Sequence, residues 1–396
     1  MENWEARSKV WEGSIPIQLH LHHSQVTTLP PPPPLMVLGP RNGYLPLLVP
    51  LIKPHFQSSL PPGTDTVWFD YKGLPLKWYI PTGVLFDLLC AEPERPWNIT
   101  VHFRGYPSDI LSPCEGEDNL KWNFINSLKE ASYIINGSIK NVMNMPQSEQ
   151  MELWRCVVKG DLEGYCRASA RLRPGGIAED ATRKAVSHRQ NHNENDTFGT
   201  STTGRIPVHL YLRDLRKEVE DFADALPVES WDEINYINRP VEIPKDDGSK
   251  FTLGSALASL LPELFPNYLL GEESKGLADS CRQLTNSDLE VMTKSGGIVT
   301  SQVGSGSNNA LPSSDSFDSE TGPVIINLQT TKDSKQVAEL QKASSRWNVK
   351  IIRVQGIELP DLDLPFNWVA QNLVAPEHFL HICIYTLKVG NEEKSH

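Results

Sequence analysis

The chain has no apolar run long enough to cross a bilayer, for which about 18 consecutive apolar residues are needed. The longest candidate, Leu45 to Ile52, is interrupted by Pro46 and Pro50. Its start, MENWEARSKVWEG, has no apolar core of signal-peptide type, so a cytoplasmic address is expected. The six cysteines, Cys90, Cys114, Cys156, Cys166, Cys281 and Cys383, form no C-x-x-C pair, which argues against a structural zinc site and a disulfide framework alike. Positive charge is in deficit: the formal net charge is -12, which repels phosphate backbones and makes nucleic acid an unexpected partner. G-x-S-x-G, P-loop and G-x-G-x-x-G strings are missing too, so catalysis has no visible home and no cofactor is expected.

What remains is enough for several folded units. The 396 residues, 39% hydrophobic and 22% charged, suit two or three domains. Two stretches divide them. Residues 174–204 lack apolar periodicity and are crowded with turn formers, which predicts a linker. Residues 271–322 are rich in Ser, Gly and Asn and bury too little surface to offset their ordering entropy, which predicts a disordered insertion.

Residues 15–112 carry short strands and short helices. Ile15, Ile17, Leu19 and Leu21 alternate as a half-buried strand requires. Thr66–Tyr71 and Leu76–Ile80 read as a hairpin around Lys72-Gly73-Leu74-Pro75. Thr82–Leu89 predicts a helix with Thr82 as N-cap, followed by a strand over Trp97–Phe103. In Gly43–Phe56, Leu45, Leu48, Ile52 and Phe56 fall at helical spacing, but three prolines allow only a broken or short helix. Residues 205–388 repeat this grammar: strands over Arg205–Arg213 and Trp231–Ile243, a helix over Thr252–Phe265, then strands over Val349–Val354 and Phe379–Leu387. LLCAEPERPWNITVHF and NLVAPEHFLHICIY echo one another, each a helix end followed by a strand with a histidine, which places His102 and His381 alike. Two copies of a small β-grasp, ubiquitin-like unit follow. Between them, residues 118–173 predict helices. One runs through Leu120, Phe124, Leu128 and Ile135 to a stop at Asn136-Gly137; a second is capped by Ser138 and runs through Met145; a third is capped by Ser148 and a fourth starts at Asp161. Residues 1–14 are expected to form an N-terminal helix. The fold class is therefore α+β, with two ubiquitin-like β-grasp domains flanking a helix-rich one.

Other clusters have bland readings. His20, His22 and His23 lie close together, but no carboxylate or thiolate completes a metal set, so they are taken as ordinary strand histidines. Among the ten tryptophans, Trp4, Trp11, Trp122 and Trp154 fall in or beside predicted helices. They suit core packing or a groove for a partner helix, and Trp4 and Trp11 alone could form an interfacial stripe. Cys90 and Cys383 sit in apolar runs, whereas Cys156 and Cys166 keep a cysteine-dependent transferase of a ubiquitin-like modifier open as the alternative function.

The strings VWEGSIPIQLHL, PRNGYLPLLVPLIKPHF, PLKWYIPTGVLFDLL, RPWNITVHF, NGSIKNVMNM and HFLHICIY, in that order, resemble the autophagy-related protein 5 family, and PPPPPLMVLGP resembles its plant branch. The resemblance implies a non-catalytic subunit of an E3-like conjugation complex acting in autophagosome assembly. It implies a covalent partner, autophagy-related protein 12, joined by an isopeptide bond, and a second partner, autophagy-related protein 16, docked as a helix in a groove. It also implies promotion of the lipidation of a third ubiquitin-like protein with phosphatidylethanolamine, and cytoplasmic localisation with transient contact at the pre-autophagosomal membrane. In the family the acceptor lysine precedes a V-M/I-N stretch, which falls here on Lys140, with Lys129 as the fallback. A lysine at its ordinary pKa of about 10.4 is neutral in about one molecule in a thousand at pH 7, so the conjugating enzyme must supply most of the activation.

Overall fold

The computed structural model describes residues 2–63, 66–172, 203–215, 222, 225–244, 251–268 and 347–388. The expected insertion, most of the expected linker and Cys281 lie outside the described residues.

Two five-stranded sheets share one plan. In the first, β1 (Ser14–Leu21), β2 (Leu35–Pro40), α2 (Val49–Phe56), β3 (Trp68–Tyr71), β4 (Leu74–Pro75), α3 (Thr82–Leu89) and β5 (Trp97–His102) give the order β2-β1-β5-β3-β4. In the second, β6 (Arg205–Leu215), β7 (Ile234–Glu242), α8 (Leu253–Leu260), β8 (Trp347–Val354), β9 (Ile357–Glu358), α9 (Phe366–Asn372) and β10 (Leu380–Lys388) give β7-β6-β10-β8-β9. The central pair is parallel in both, β1 with β5 and β6 with β10, while the flanking pairs are antiparallel. This is the expected doubled β-grasp, α+β by class. Between the sheets lie α4 (Glu117–Asn136), α5 (Lys140–Met143), α6 (Gln147–Lys159) and α7 (Leu162–Ala168), and α1 (Glu2–Glu12) precedes them all.

The alternation of β1 puts Ile15, Ile17 and Leu19 into a core with Ile52 and Phe56 of α2 and Leu85 and Leu88 of α3. Each such side chain, almost wholly removed from water, contributes roughly 1.5–3 kcal/mol before entropy is counted. A second core joins Val208, Leu210, Ile382 and Ile384 to Leu253 and Leu257 of α8 and Phe366 and Val369 of α9. A third joins Phe124, Leu128, Leu153, Trp154 and Tyr165 of the helices. β10 is buried on both faces, because the face turned away from α8 and α9 packs against the first unit: Cys383 and Tyr211 belong to the first core. The run HICIY is nearly continuous in apolar character for that reason.

α1 belongs to two cores at once. Val10 enters the second and Trp11 the third, where its ring lies 4.9 Å from that of Tyr165. Trp4 stays half exposed at 50% against 7% for Trp11, so the two do not form one interfacial stripe. Neighbouring residues of a helix point to different faces, and here each face has its own partner.

Several local expectations change. Leu76–Ile80 forms no strand, and β4 is only Leu74–Pro75; Leu76 still donates its N–H to the Phe69 carbonyl at 2.8 Å, and the side chains of Leu76 and Ile80 are buried. Thr82 is not a cap: Pro81 precedes α3, and the Thr82 hydroxyl donates to the Gly43 carbonyl at 3.1 Å. Likewise Pro146 starts α6, leaving Ser148 inside the first turn. Proline's fixed φ suits a helix start without a side-chain acceptor. α5 stops at Met143, short of Met145, and its N-cap position is Ile139, although the Ser138 hydroxyl does accept from the Lys140 N–H at 3.2 Å. Asp161 caps α7 as expected, accepting from the Gly164 N–H at 2.8 Å. Pro46 and Pro50 split the 43–56 segment into a 3-10 turn at Leu45–Leu48 followed by α2. β2 follows the proline run and had no counterpart in the sequence reading.

Candidate conjugation site and partner cleft

Lys140 is presented by a short, pinned helix. Gly137, at φ 66°, ends α4 in the left-handed conformation and turns the chain back. The Ser132 hydroxyl donates to the Ser138 carbonyl at 2.9 Å and fixes the return. Val142, 1% exposed, anchors α5 in the helical core, and the Gln150 amide donates to the Met145 carbonyl at 3.0 Å beyond its far end. With Val142 inward, Ile139, Lys140 and Met143 face outward and are exposed. Lys129 lies on α4, half-buried, its Nζ 3.3 Å from Asn126 Oδ1. The two lysines thus sit on different helices and in different degrees of contact with solvent.

The thiols are poorly placed for nucleophilic work. Burial pushes Cys90 up to about 12, Cys156 up to about 11, and Cys114 and Cys383 above their ordinary value. Transfer chemistry needs the opposite, an electropositive setting that favours thiolate. Cys166 is half-buried on α7. Among the described residues, no group of three His, Cys, Asp or Glu side chains is placed to hold a metal.

The histidines serve packing. β1 ends at Leu21, so of the three only His20 lies on the strand; His20 lies 3.3 Å from Asn98 Oδ1, and His22 stacks on His102 at 4.4 Å. His102 stacks on Trp68 at 3.7 Å and pairs with the buried Asp70. His381 pairs with buried Glu377 at 2.5 Å. The two pairs are chemically alike but not equivalent in register: His102 ends β5, whereas His381 is the second residue of β10.

A cleft absent from the sequence reading opens where the three units meet. It encloses about 180 Å³ between Lys77, Tyr79 and Ile80 of the first unit, Asn123 and Ser127 of α4, and His209, Tyr211, Trp231, Tyr236 and His381 of the second. Lys77 Nζ sits 4.5 Å over the Trp231 ring, and burial lowers its pKa against the opposing pull of Asp232. Tyr79 and Tyr236 remain 37% and 51% exposed, so the mouth is aromatic and open to solvent. Trp231 is the one tryptophan that lines it, and the groove candidates Trp4, Trp11, Trp122 and Trp154 do not; the lining is drawn from separate stretches of the chain that no sequence window joins.

His209, on the wall of this cleft, has its pKa lowered to about 2, first by burial and then by the neighbouring His381. It stacks on Phe379 at 3.9 Å, meets Tyr236 edge-on at 5.5 Å, and its Nε2 has no hydrogen-bond partner. The folded value lies below the unfolded one, near 6.5, so protons bind the unfolded chain more readily. The contribution of neutral His209 is whole above pH 6.5 and falls by about 1.4 kcal/mol per unit below it. Replacing His209 with Phe is expected to spare the protein about 2 kcal/mol of the stability lost between pH 7 and pH 5. Urea midpoints of both proteins at the two pH values check this; equal losses would refute it.

The description "Autophagy protein ATG5, UblA domain" matches residues 10–103, "alpha-helical bundle region" of the same protein matches 117–175, and "UblB domain" matches 205–384. Autophagy protein 5 of Oryza sativa subsp. indica is 49% identical over 387 residues, covering 96% of this chain and 93% of that protein. The chain belongs to the autophagy protein 5 family. The Arabidopsis thaliana autophagy protein 5 is 47% identical, with 96% of this chain and 97% of that protein covered, which places this family member with the plant proteins. The crystal structure of Kluyveromyces marxianus Atg5 aligns over 97% of this chain and 99% of its own at a TM-score of 0.54 and 15% identity, a likeness of fold. As a member of the autophagy protein 5 family the chain acts in autophagy. Among the described residues no helix is long and apolar enough to cross a membrane.

Proposed function

We propose that this chain is a non-catalytic scaffold that accepts autophagy-related protein 12 through an isopeptide bond at Lys140. It then holds a helix of autophagy-related protein 16 in the three-unit cleft. As a subunit of an E3-like complex, at the pre-autophagosomal membrane, it promotes transfer of a third ubiquitin-like protein to phosphatidylethanolamine. The observation that carries the reading is the outward-facing Lys140 on a helix held at both ends. In the reaction the neutral Lys140 amine attacks the thioester carbonyl of the activated modifier. A C–N bond forms, the C–S bond breaks, the thiolate leaves with the electron pair, and the nitrogen gives up its proton. A pinned acceptor reduces the entropy lost on reaching the carbonyl, while the modifier's own enzyme sets the amine's protonation. Mass-spectrometric mapping of the branched peptide, after conjugation with purified components, tests the assignment: a branch on any other lysine overturns it.

The cleft suits the side chains of a docked helix because its mouth is aromatic, its lining carries polar groups, and it lies where three units meet and one helix can lie across all of them. Tyr79→Ala combined with Tyr236→Ala is expected to weaken binding of the partner helix about tenfold, as loss of aromatic anchors does. Calorimetric titration with the synthetic helix reads this; unchanged affinity places the helix elsewhere.

A further inference from the structure

The loop between β1 and β2 holds five consecutive prolines, Pro30–Pro34, that neither the conjugation chemistry nor the cleft uses. Each proline fixes its own φ near −65° and excludes the helical region for the residue before it, so the run is held as polyproline II. That helix has three residues per turn. Its edges are differently covered: Pro32 is half-buried against the protein, whereas Pro31 and Pro34 on one edge and Pro33 on another are exposed. Two of the three edges therefore face water. The ridge is tied down at its flanks and at Pro33. The Thr27 N–H and hydroxyl both donate to the Ser59 carbonyl at 2.9 Å, His55 Nε2 lies 3.0 Å from the Pro33 carbonyl, and β2 pairs with β1 from Leu35 onward.

We propose that this ridge is a docking site for a protein module whose groove is lined with aromatic rings and reads uncharged polyproline. P-x-x-P falls on Pro31 with Pro34, beyond the bend at residues 28–30, and this pair presents two pyrrolidine rings on one exposed edge. Aromatic side chains pack on such rings, and their indole and phenol hydrogens donate to the carbonyls that proline leaves without a neighbouring N–H. The ridge is already rigid, so little conformational entropy is lost on binding. Charge narrows the partner further. No Asp, Glu, Lys or Arg occurs from Gly13 through Pro40, so a groove that depends on pairing acidic residues with a basic flank finds no counterpart. A WW or EVH1 type of groove, which grips rings, fits; Met36, 54% exposed after the prolines, extends the apolar contact at that end.

The inference is independent of Lys140 and of the cleft. Its test titrates the full chain with a purified WW domain and a purified EVH1 domain, reading the groove tryptophan's fluorescence. Saturable binding to one of them is expected, weakened about tenfold or more in the Pro31→Ala, Pro34→Ala double variant and displaced by free polyproline peptide. The displacement arm uses the unaltered chain and so stands even if the variant misfolds. Absence of saturable binding to both domains, failure of the peptide to compete, or equal affinity in a folded variant overturns the proposal.

Discussion

Replacing Lys140 with Arg is expected to reduce the covalent conjugate, measured as the shifted band on a denaturing gel, by at least about a hundredfold. Arginine keeps the positive charge and most of the length, but its guanidinium is never neutral at physiological pH and cannot attack a thioester. The side chain is exposed and the helix beneath it is anchored by Val142, so the folded state should hardly register the change. Lys129→Arg, on the neighbouring helix, is expected to leave the band intact. If the Lys140 variant conjugates at the normal rate, the acceptor lies elsewhere; if only the double variant fails, the two lysines substitute for one another.

The second large effect concerns the joint between the two sheets. The last turn of α3 leaves carbonyls with no partner inside the helix. Two arginines of the second unit meet these and the two carbonyls that follow. Arg213 donates to the carbonyls of Leu88 at 3.2 Å and Leu89 at 2.7 Å, and Arg353 donates to those of Cys90 and Ala91, both at 2.7 Å. Both guanidinium groups are 3% exposed as residues and lie 5.6 and 5.4 Å from the Tyr385 ring, whose hydroxyl donates to the Asp87 carbonyl at 2.7 Å. Their charge also complements the negative end of the helix dipole. Asp87 completes the joint by pairing with Arg41 and accepting from the Gly356 N–H at 2.7 Å. Arg353→Ala would strand two buried carbonyls, each costing about 1–3 kcal/mol, for a destabilisation of about 2–6 kcal/mol. The melting temperature should fall by roughly 4–10 °C. Arg213→Ala should behave similarly. A melting curve unchanged in both variants would mean that water satisfies these carbonyls and that the arginines do not couple the sheets.

The same joint explains some of what the sequence showed and some of what it hid. The strands over Ile15–Leu21 and Arg205–Arg213 were legible because one face of each meets its own helices, and that leaves period-two alternation. Leu76–Ile80 read as a strand because of its apolar side chains, yet Leu76 and Ile80 are apolar because they fill the first core from a turn. Thr82 and Ser148 had the chemistry of caps, but Pro81 and Pro146 had already set the backbone for a helix start. β2 was invisible, since a proline run followed by Gly39 and Pro40 carries no strand signal, and only pairing with β1 makes it one. Lys140 emerged from family resemblance, because a solvated helix lysine looks like any other in residue pattern alone.

By itself the sequence determined the α+β class, the repeated β-grasp grammar, the helical middle and the absence of a spanning segment. Each follows from local periodicity, which a linear chain records. Tertiary structure alone decided that α1 ties the second unit to the helices, that two arginines seal the end of α3, that the cleft exists, and which edges of the proline ridge face solvent. Those outcomes depend on which side chains, distant along the chain, fill one another's unmet hydrogen bonds and apolar surface, and no window along the sequence contains both partners.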